Sequence, residues 1–225
     1  MKLSIIIPVL NESSLISDCL ASLQELRQRG HEVIVVDGGS IDESVALAAP
    51  LSDRCLVSER PGRAAQMNRG AAVAGGDVLL FLHADTRLPQ DADALLRDAG
   101  VDADGWGRFD VVLSGRRPLL RVVEAAMNLR SRLTGIATGD QAMFVGRRLF
   151  QRAGGFPDIA LMEDISLSAT LKRINPPCCL RQTVTTSSRR WEEQGILYTV
   201  LQMWLLRLRY FLGTPPATLA REYYG

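Results

Sequence analysis

The sequence predicts an α/β fold built on a parallel sheet. In the first half of the chain, short continuous apolar runs alternate with helix-length segments. That is the pattern of strands covered on both faces and joined by right-handed crossovers. The 225 residues are 47% hydrophobic and 23% charged. This suits one large domain or a domain with an appendage, and it excludes disordered, collagen-like and low-complexity classes. No fixed-period repeat and no long Gly/Ser/Pro linker divides the chain.

The elements follow in order. Leu3–Val9 reads as a buried strand. Asn11-Glu-Ser-Ser offers caps for a helix running to about Arg29, ended by Gly30. Val33–Val36 is a second strand, stopped by Asp37-Gly-Gly-Ser, and a short helix follows near Glu43–Ala49. Arg54–Ser58 is a third strand and Arg63–Ala74 a small-residue helix broken by Gly75-Gly76. Val78–Leu82 is a fourth strand running into His83-Ala-Asp-Thr. After about residue 100 the rhythm changes. Trp106–Leu113 and Ala142–Val145 read as strands, and Met162–Arg173 as a helix with an acidic first turn. Arg117–Leu133 is amphipathic: Leu119, Val122, Val123, Ala126, Met127 and Leu133 share an apolar side, opposite Arg117, Arg121, Glu124, Asn128 and Arg132. Glu192–Leu212 reads as one long apolar helix, with Gly213-Thr-Pro-Pro as its stop.

The formal net charge is +1, which excludes a global polycation for holding nucleic acid. Residues 1–100 carry 9 Lys+Arg against 14 Asp+Glu, and residues 101–225 carry 17 against 11. Only Lys2 and Lys172 are lysines, so positive charge means arginine, suited to phosphates and carboxylates. Cys19, Cys55, Cys178 and Cys179 lack the C-x-x-C spacing of a zinc site, and the pattern is that of a reduced, cytoplasmic chain. The N-terminus lacks a small-x-small cleavage site and reads as a buried strand rather than a signal peptide.

In an open parallel sheet, ligands bind outside the carboxyl ends of the strands. Pro8, Asn11 and Glu12 follow the first strand, Asp37, Gly38, Gly39 and Ser40 the second, and His83 and Asp85 the fourth. One Asp-Gly is ordinary turn chemistry; three polar clusters on one edge imply a shared site. No Gly-x-Gly-x-x-Gly follows the first strand, and the chain has no P-loop motif, so a bound diphosphate needs another neutralising group. A divalent metal on one or two carboxylates is the usual alternative. Asp85 is the best-placed ligand, and His83, two residues away, points to the same side if the strand continues.

The sequence resembles family-2 nucleotide-sugar glycosyltransferases of the GT-A fold. The resemblance rests on Ser4-Ile-Ile-Ile-Pro-Val-Leu-Asn-Glu, Val36-Asp-Gly-Gly-Ser, Gly62-Arg-Ala-Ala-Gln-Met-Asn-Arg-Gly, Gly76-Asp-Val-Leu-Leu-Phe-Leu-His-Ala-Asp-Thr, Gly154-Gly-Phe and Glu163-Asp164. Within the family it is similar to a short bacterial subgroup associated with arsenosugar biosynthesis, through Gly139-Asp-Gln, Leu161-Met-Glu-Asp, Ser188-Arg-Arg-Trp and Leu208-Arg-Tyr-Phe-Leu-Gly-Thr-Pro-Pro. The resemblance implies a Rossmann-like, mostly parallel mixed sheet flanked by helices over residues 1–190, with a helical C-terminal extension over 191–225. It implies that Pro8, Asn11, Glu12, Asp37, Gly38, Arg63, Asn68, His83 and Asp85 line the nucleotide-sugar pocket, with Asp85 holding Mn²⁺ or Mg²⁺. His83 stands where the family's D-x-D signature has its first Asp, which leaves the metal's identity open. Asp164 matches the general base, with Glu163 the competing candidate. Asp140, Gln141, Arg190 and Trp191 are candidates for the acceptor or sugar pocket. Trp191 is either a ring that stacks on sugar or a core residue. Ser187 replaces the Gln of the Q-x-x-R-W element of processive synthases, which favours a single transfer.

The expected activity is inverting, metal-dependent transfer from a nucleotide-diphosphate sugar, UDP-linked by family habit, to a small-molecule or lipid acceptor. The rivals are a non-catalytic nucleotide-binding or membrane-associated scaffold and a sugar-nucleotide pyrophosphorylase; the latter's Gly-rich loop with Lys is absent. In the C-terminal helix, Ile196, Leu197, Val200, Leu201, Trp204, Leu205, Leu208, Phe211 and Leu212 form one stripe, while Met203, Leu206 and Tyr210 make the opposite side apolar. Such a helix is expected on its own domain, in a homodimer, or peripherally at the inner face of the cell membrane.

Overall fold

The four apolar runs of the first half form strands Leu3–Val9 (β1), Glu32–Asp37 (β2), Arg54–Val57 (β3) and Val78–Phe81 (β4) in a computed structural model that describes residues 1–60 and 62–224. Thr86–Arg87 (β5), Trp106–Leu113 (β6), Phe144–Gly146 (β7) and Cys178–Thr186 (β8) complete an eight-stranded sheet in the order β3-β2-β1-β4-β7-β6-β8-β5. β3, β2, β1 and β4 are parallel, as are β6 and β8. β7 runs antiparallel to both β4 and β6, and β5 antiparallel to β8. The result is the expected mostly parallel mixed α/β sheet. The helices are Ile16–Ser22 (α1), Gln24–Gln28 (α2), Ser44–Ala48 (α3), Arg63–Val73 (α4), Ala92–Asp98 (α5), Pro118–Thr134 (α6), Arg147–Arg152 (α7), Glu163–Leu171 (α8), Arg189–Gln194 (α9), Ile196–Phe211 (α10) and Pro216–Tyr224 (α11).

Alternation along β1 explains the layers. Ile5 and Ile7 face a core with Leu20, Leu23 and Leu26 of the α1–α2 segment. Ile6 faces the other core with Ala64 and Met67 of α4, Phe81 and Phe156. Each fully buried Ile or Leu contributes about 1.5–3 kcal/mol. α4 packs closely because Gly70 sits where a Cβ would be 2.5 Å from Ile6 Cγ2. Buried Gln66, on the inner face of α4, donates through Nε2 to the carbonyls of Val9 and Val36, each at 2.8 Å. That amide ties together the ends of β1 and β2, where the polar loops start.

Several expectations are corrected. The helix expected from Asn11 begins only at Ile16, because the amides before it go elsewhere. The N–H groups of Asn11, Glu12 and Ser13 donate to Ser40, Ser44 and Asp42 respectively, and Asn11 Oδ1 accepts from Ile41 N–H. Those bonds weld the first loop to the second. The strand expected at 142–145 is displaced to Phe144–Gly146, since Ala142 takes a left-handed φ of 46°. The long C-terminal helix breaks at Gly195, whose φ is 90°, and Pro216 opens α11 where a stop was expected. β5, β8, α5 and α7 have no counterpart in the sequence reading; β8 alternates only weakly, with Leu180 and Val184 its main apolar anchors.

α6 reverses the expected orientation. β7 pairs only with Trp106 and Gly107, so the rest of that edge of β6 has no strand partner. Polar side chains of α6 supply the missing bonds. Asn128 accepts from Val111 N–H at 2.9 Å and donates to Val111 O at 3.0 Å. Glu124 accepts from Leu113 N–H, and Arg121 donates to the carbonyls of Leu113 and Gly115. Fully buried Arg108 of β6 reaches Ser131 Oγ and the Asn128 carbonyl and pairs with Asp110. Leu119, Val122, Leu129 and Leu133 therefore face outward; Leu120, Val123 and Met127 at the seam stay packed.

At the opposite end of the strands, His31 accepts from Leu3 N–H through Nδ1 and faces Asp93 through Nε2 at 3.0 Å. Arg29 also pairs with Asp93, at 2.8 Å. Burial alone would raise the Asp93 carboxyl, but hydrogen bonds from Arg29 and His31 outweigh it and hold it well below its usual range. A depressed carboxyl stabilises fully above its unfolded value of about 3.9, and the contribution is lost as pH falls through the folded value. Asp93→Ala is expected to cost roughly 2 kcal/mol at neutral pH, discounted because Arg29 is 40% exposed. Urea unfolding at pH 7 and pH 3 checks this: the gap between wild type and variant narrows at the lower pH.

Candidate functional site

The ends of β1, β2 and β4 open on one side of the sheet, as the topology rule requires. The cleft there encloses about 530 Å³ of space open to solvent. Arg63 of α4, His83, Thr138, Gly139, Asp140, Glu163, Asp164 and residues of α10 and α11 line it. Phe81, Met143 and Phe156 form an apolar floor beneath Arg63, His83 and Asp164.

Glycine at 139 is a steric requirement. A Cβ there would lie 2.5 Å from the His83 ring atoms Cε1 and Nε2. Its N–H donates to Asp164 Oδ2 at 2.8 Å, while Ile165 N–H donates to Oδ1 at 2.7 Å. Both Asp164 oxygens are thereby held at the start of α8, where the helix dipole favours a carboxylate. Met162, at a left-handed φ of 71°, turns the chain into that helix. Glu163 is buried, with Arg63 Nη1 3.7 Å from its Oε1. Burial and the adjacent Asp164 push the Glu163 carboxyl up to about 6, against the opposing pull of Arg63. Burial works against the Arg63 charge, yet Glu163 and its neighbours raise its proton affinity above the usual value.

His83 Nδ1 lies 3.7 Å from Asp140 Oδ1. Burial and the Arg63 charge push the imidazole down to about 4, so it is neutral at pH 7 with a lone pair to offer. Enclosure in the cleft raises the Asp140 carboxyl. Asp85 is half-buried, and its Oδ1 accepts from the hydroxyls of Thr86 at 3.2 Å and Thr186 at 3.5 Å. Thr86 and Thr186 are opposite each other in the β5–β8 pair, so the two unforeseen strands are what position Asp85. Burial and the Asp85 charge raise the Glu12 carboxyl. Among the described residues no group of three or more His, Cys, Asp and Glu side chains has metal-site spacing. One carboxylate with a neutral imidazole nearby, in a pocket where carboxylates repel, fits a divalent cation whose remaining ligands come from a diphosphate and water.

Other candidates land as follows. Pro8 is half-buried in β1, and Asn11 is exposed with φ 55° in the welded loop. Asp37 is buried and accepts from the N–H groups of Gly39 and Ser40. Gly38 packs where a Cβ would lie 2.9 Å from Gln66 Nε2. Three candidates serve structure instead. Asn68 exchanges both amide bonds with the Phe156 backbone, at 2.8 and 2.9 Å. Gln141 is fully buried as the reciprocal partner of Thr138 in a capping box. Trp191 is half-buried and packs against the cluster of Leu113, Leu120, Val123 and Ile196. Arg190 stacks 3.6 Å over the Tyr223 ring and donates to its carbonyl at 3.1 Å, fastening α11. The sequence reading missed Tyr223 and Arg207 in the cleft wall. Pro216 at a helix start, followed by Leu219, Ala220 and Tyr223 at helical spacing, was the available signal.

Comparison with known proteins agrees with this geometry. Residues 4–104 match the family model described as Glycosyl transferase family 2. A PGL/p-HBAD biosynthesis glycosyltransferase of Mycobacterium tuberculosis is 40% identical over 102 residues, covering 43% of this chain. The match spans 40% of that relative's length. Among solved structures, S. aureus TarS 1-349 superposes with a TM-score of 0.67 at 19% identity, covering 90% of this chain and 64% of that one. Glucosyl-3-phosphoglycerate synthase from Mycobacterium tuberculosis, in complex with Mg²⁺ and UDP, gives 0.60 at 21% identity, covering 82% and 70%. The cleft thus stands on a GT-A-type fold whose residues 4–104 match the glycosyl transferase family 2 model.

Proposed function

We propose that this chain transfers a glycosyl group from a UDP-linked sugar to an acceptor hydroxyl, once per encounter and with inversion. The observation that carries the reading is Asp164, oriented by two backbone amides and lining the same cleft as His83. Asp164 accepts the acceptor's hydroxyl proton as that oxygen bonds to the anomeric carbon; the bond from that carbon to the diphosphate oxygen breaks on the opposite face. Glu12, Asp37 and Arg63 border the nucleotide, and Asp85 with His83 holds the divalent cation. Bound there, the cation supplies positive charge to the departing diphosphate. The UDP complexes of the structural neighbours support the choice of nucleotide, and the subgroup motifs put arsenosugar precursors into an acceptor screen.

α10 divides its two apolar sides. Met203, Leu206 and Tyr210 pack with Ile136, Leu161 and Ile165, while Leu197, Leu201, Trp204, Leu208, Phe211 and Leu212 are 56–77% exposed. The outward residues of α6 lie on the neighbouring helix. Residues 115–137 contain one acidic side chain, the buried Glu124, and residues 195–214 contain none; Arg116, Arg117 and Arg121 flank the face. Two copies joined here would bring like charges together, whereas an anionic bilayer surface complements both the apolar and the basic character. No helix among the described residues is long and apolar enough to cross a membrane. We therefore place the protein peripherally on an anionic membrane.

Asp164→Asn is expected to retain UDP binding while turnover falls on the order of 10²-fold or more; Glu163→Gln should fall much less, and the reverse order in a UDP-release assay would transfer the role to Glu163. Asp85→Ala should abolish the Mn²⁺ dependence of UDP affinity, read by calorimetry with and without Mn²⁺. In flotation, wild-type protein is expected to rise with phosphatidylglycerol vesicles and Leu201→Glu/Trp204→Glu to stay at the bottom; a dimer in light scattering with no flotation would assign the face to a second copy.

A further inference from the structure

Arg130 of α6 buries its Nε and Nη2 atoms, and neither has a hydrogen-bond partner among the described residues. An unpaired buried guanidinium costs several kcal/mol, so the two orphaned donors need an explanation. Arg207 of α10 lines the cleft and likewise forms no ion pair there. The two charges sense each other: burial and the Arg207 charge push the Arg130 guanidinium down to about 10, with Asp164 and Asp140 opposing. Arg207 and Arg63 in turn act on Asp140. Among the described residues neither arginine forms an ion pair, and they stand on helices α6 and α10, which are in contact, with Arg207 in the cleft wall; together they form an incomplete cluster. One anion with several oxygens would complete it, since guanidinium groups hold phosphate or carboxylate through paired N–H donors.

We propose that Arg130 and Arg207 bind an anionic group, phosphate or carboxylate, carried by the acceptor. This rests on the glycosyltransferase reading and specifies the substrate class of the same cleft. Geometry assigns the anion to the acceptor rather than the donor. The donor's diphosphate belongs with Asp85 at the strand ends, whereas Arg130 and Arg207 come from helices on the Asp164 side. Anchoring the acidic end there leaves a nearby hydroxyl free to present its proton to Asp164. The anion has two sources, a soluble phosphate ester or a lipid phosphate, because α6 and α10 also carry the exposed apolar face.

The test uses the full chain loaded with UDP and Mn²⁺, titrated in a calorimeter with glycerol 3-phosphate and, separately, with dihexanoyl phosphatidic acid below its micelle concentration. Saturable binding is expected in at least one arm. Arg207→Gln and Arg130→Gln should each weaken it on the order of tenfold or more, with unchanged UDP affinity showing that the variants are folded. Arg207→Lys should recover part of the loss. Tighter binding of the dihexanoyl compound assigns the anion to a lipid; equal binding assigns it to a soluble ester. No saturable binding in either arm, binding indifferent to both substitutions, or UDP affinity falling in parallel would overturn the proposal. Failure of the underlying reading looks different: the wild-type chain would not bind UDP at all.

Discussion

The unpaired edge of β6 is the constraint on which much of the second half depends. Beyond Gly107 the N–H and C=O groups on the edge away from β8 have no neighbouring strand among the described residues, and a buried backbone group cannot go unsatisfied without a cost of about 1–3 kcal/mol. Asn128, Glu124 and Arg121 meet that demand. A helix has only two broad faces. With its polar face spent on the strand, α6 presents Leu119, Val122, Leu129 and Leu133 outward, next to the exposed stripe of α10. The outward apolar surface and the inward polar network have one origin. The same helix buries the Nε and Nη2 atoms of Arg130.

The site is built from two independently secured halves. On the sheet side, Gln66 fixes the ends of β1 and β2, and the welded loops hold Glu12 and Asp37 near them. On the helix side, Met162 and the amides of Gly139 and Ile165 orient Asp164. They meet at Gly139, where a missing Cβ lets His83 lie against the turn that feeds Asp164. The two neighbouring acids have different surroundings. Burial and the adjacent Asp164 raise Glu163 toward 6, while Asp164 keeps its oxygens on N–H donors.

Local pattern made the sheet side of the site legible before any coordinates. β1, β2, β3 and β4 are continuous apolar runs ended by polar clusters, so their number, direction and carboxyl edge could be read directly. The helix side depends on partners far apart in the chain. β8 and β5 exist because Thr186 and Thr86 pair across about a hundred residues, and no local period announces a strand stabilised that way. The α6 pattern was visible but its sense was inverted, because amphipathicity shows that a helix has two faces and leaves open which one is buried. Asn68 and Gln141 looked like ligand contacts because they are polar within motif-bearing segments. Only geometry shows their amides turned to backbone.

α11 forms one wall of the cleft, yet it is fastened differently from the others. Leu219 and Ala220 pack inward, Arg190 grips Tyr223, and Arg209 pairs with Glu222 near the surface. No strand of the sheet passes through this wall, and Gly195 separates the helix pair that builds it from everything upstream. Such a wall is interchangeable in a way that the strand ends are not. Grafting a different α10–α11 pair after Gly195 would redraw that side of the cleft while leaving the β1, β2 and β4 ends untouched, so the shape of the opening can diversify, by evolution or by design, on a fixed sheet edge.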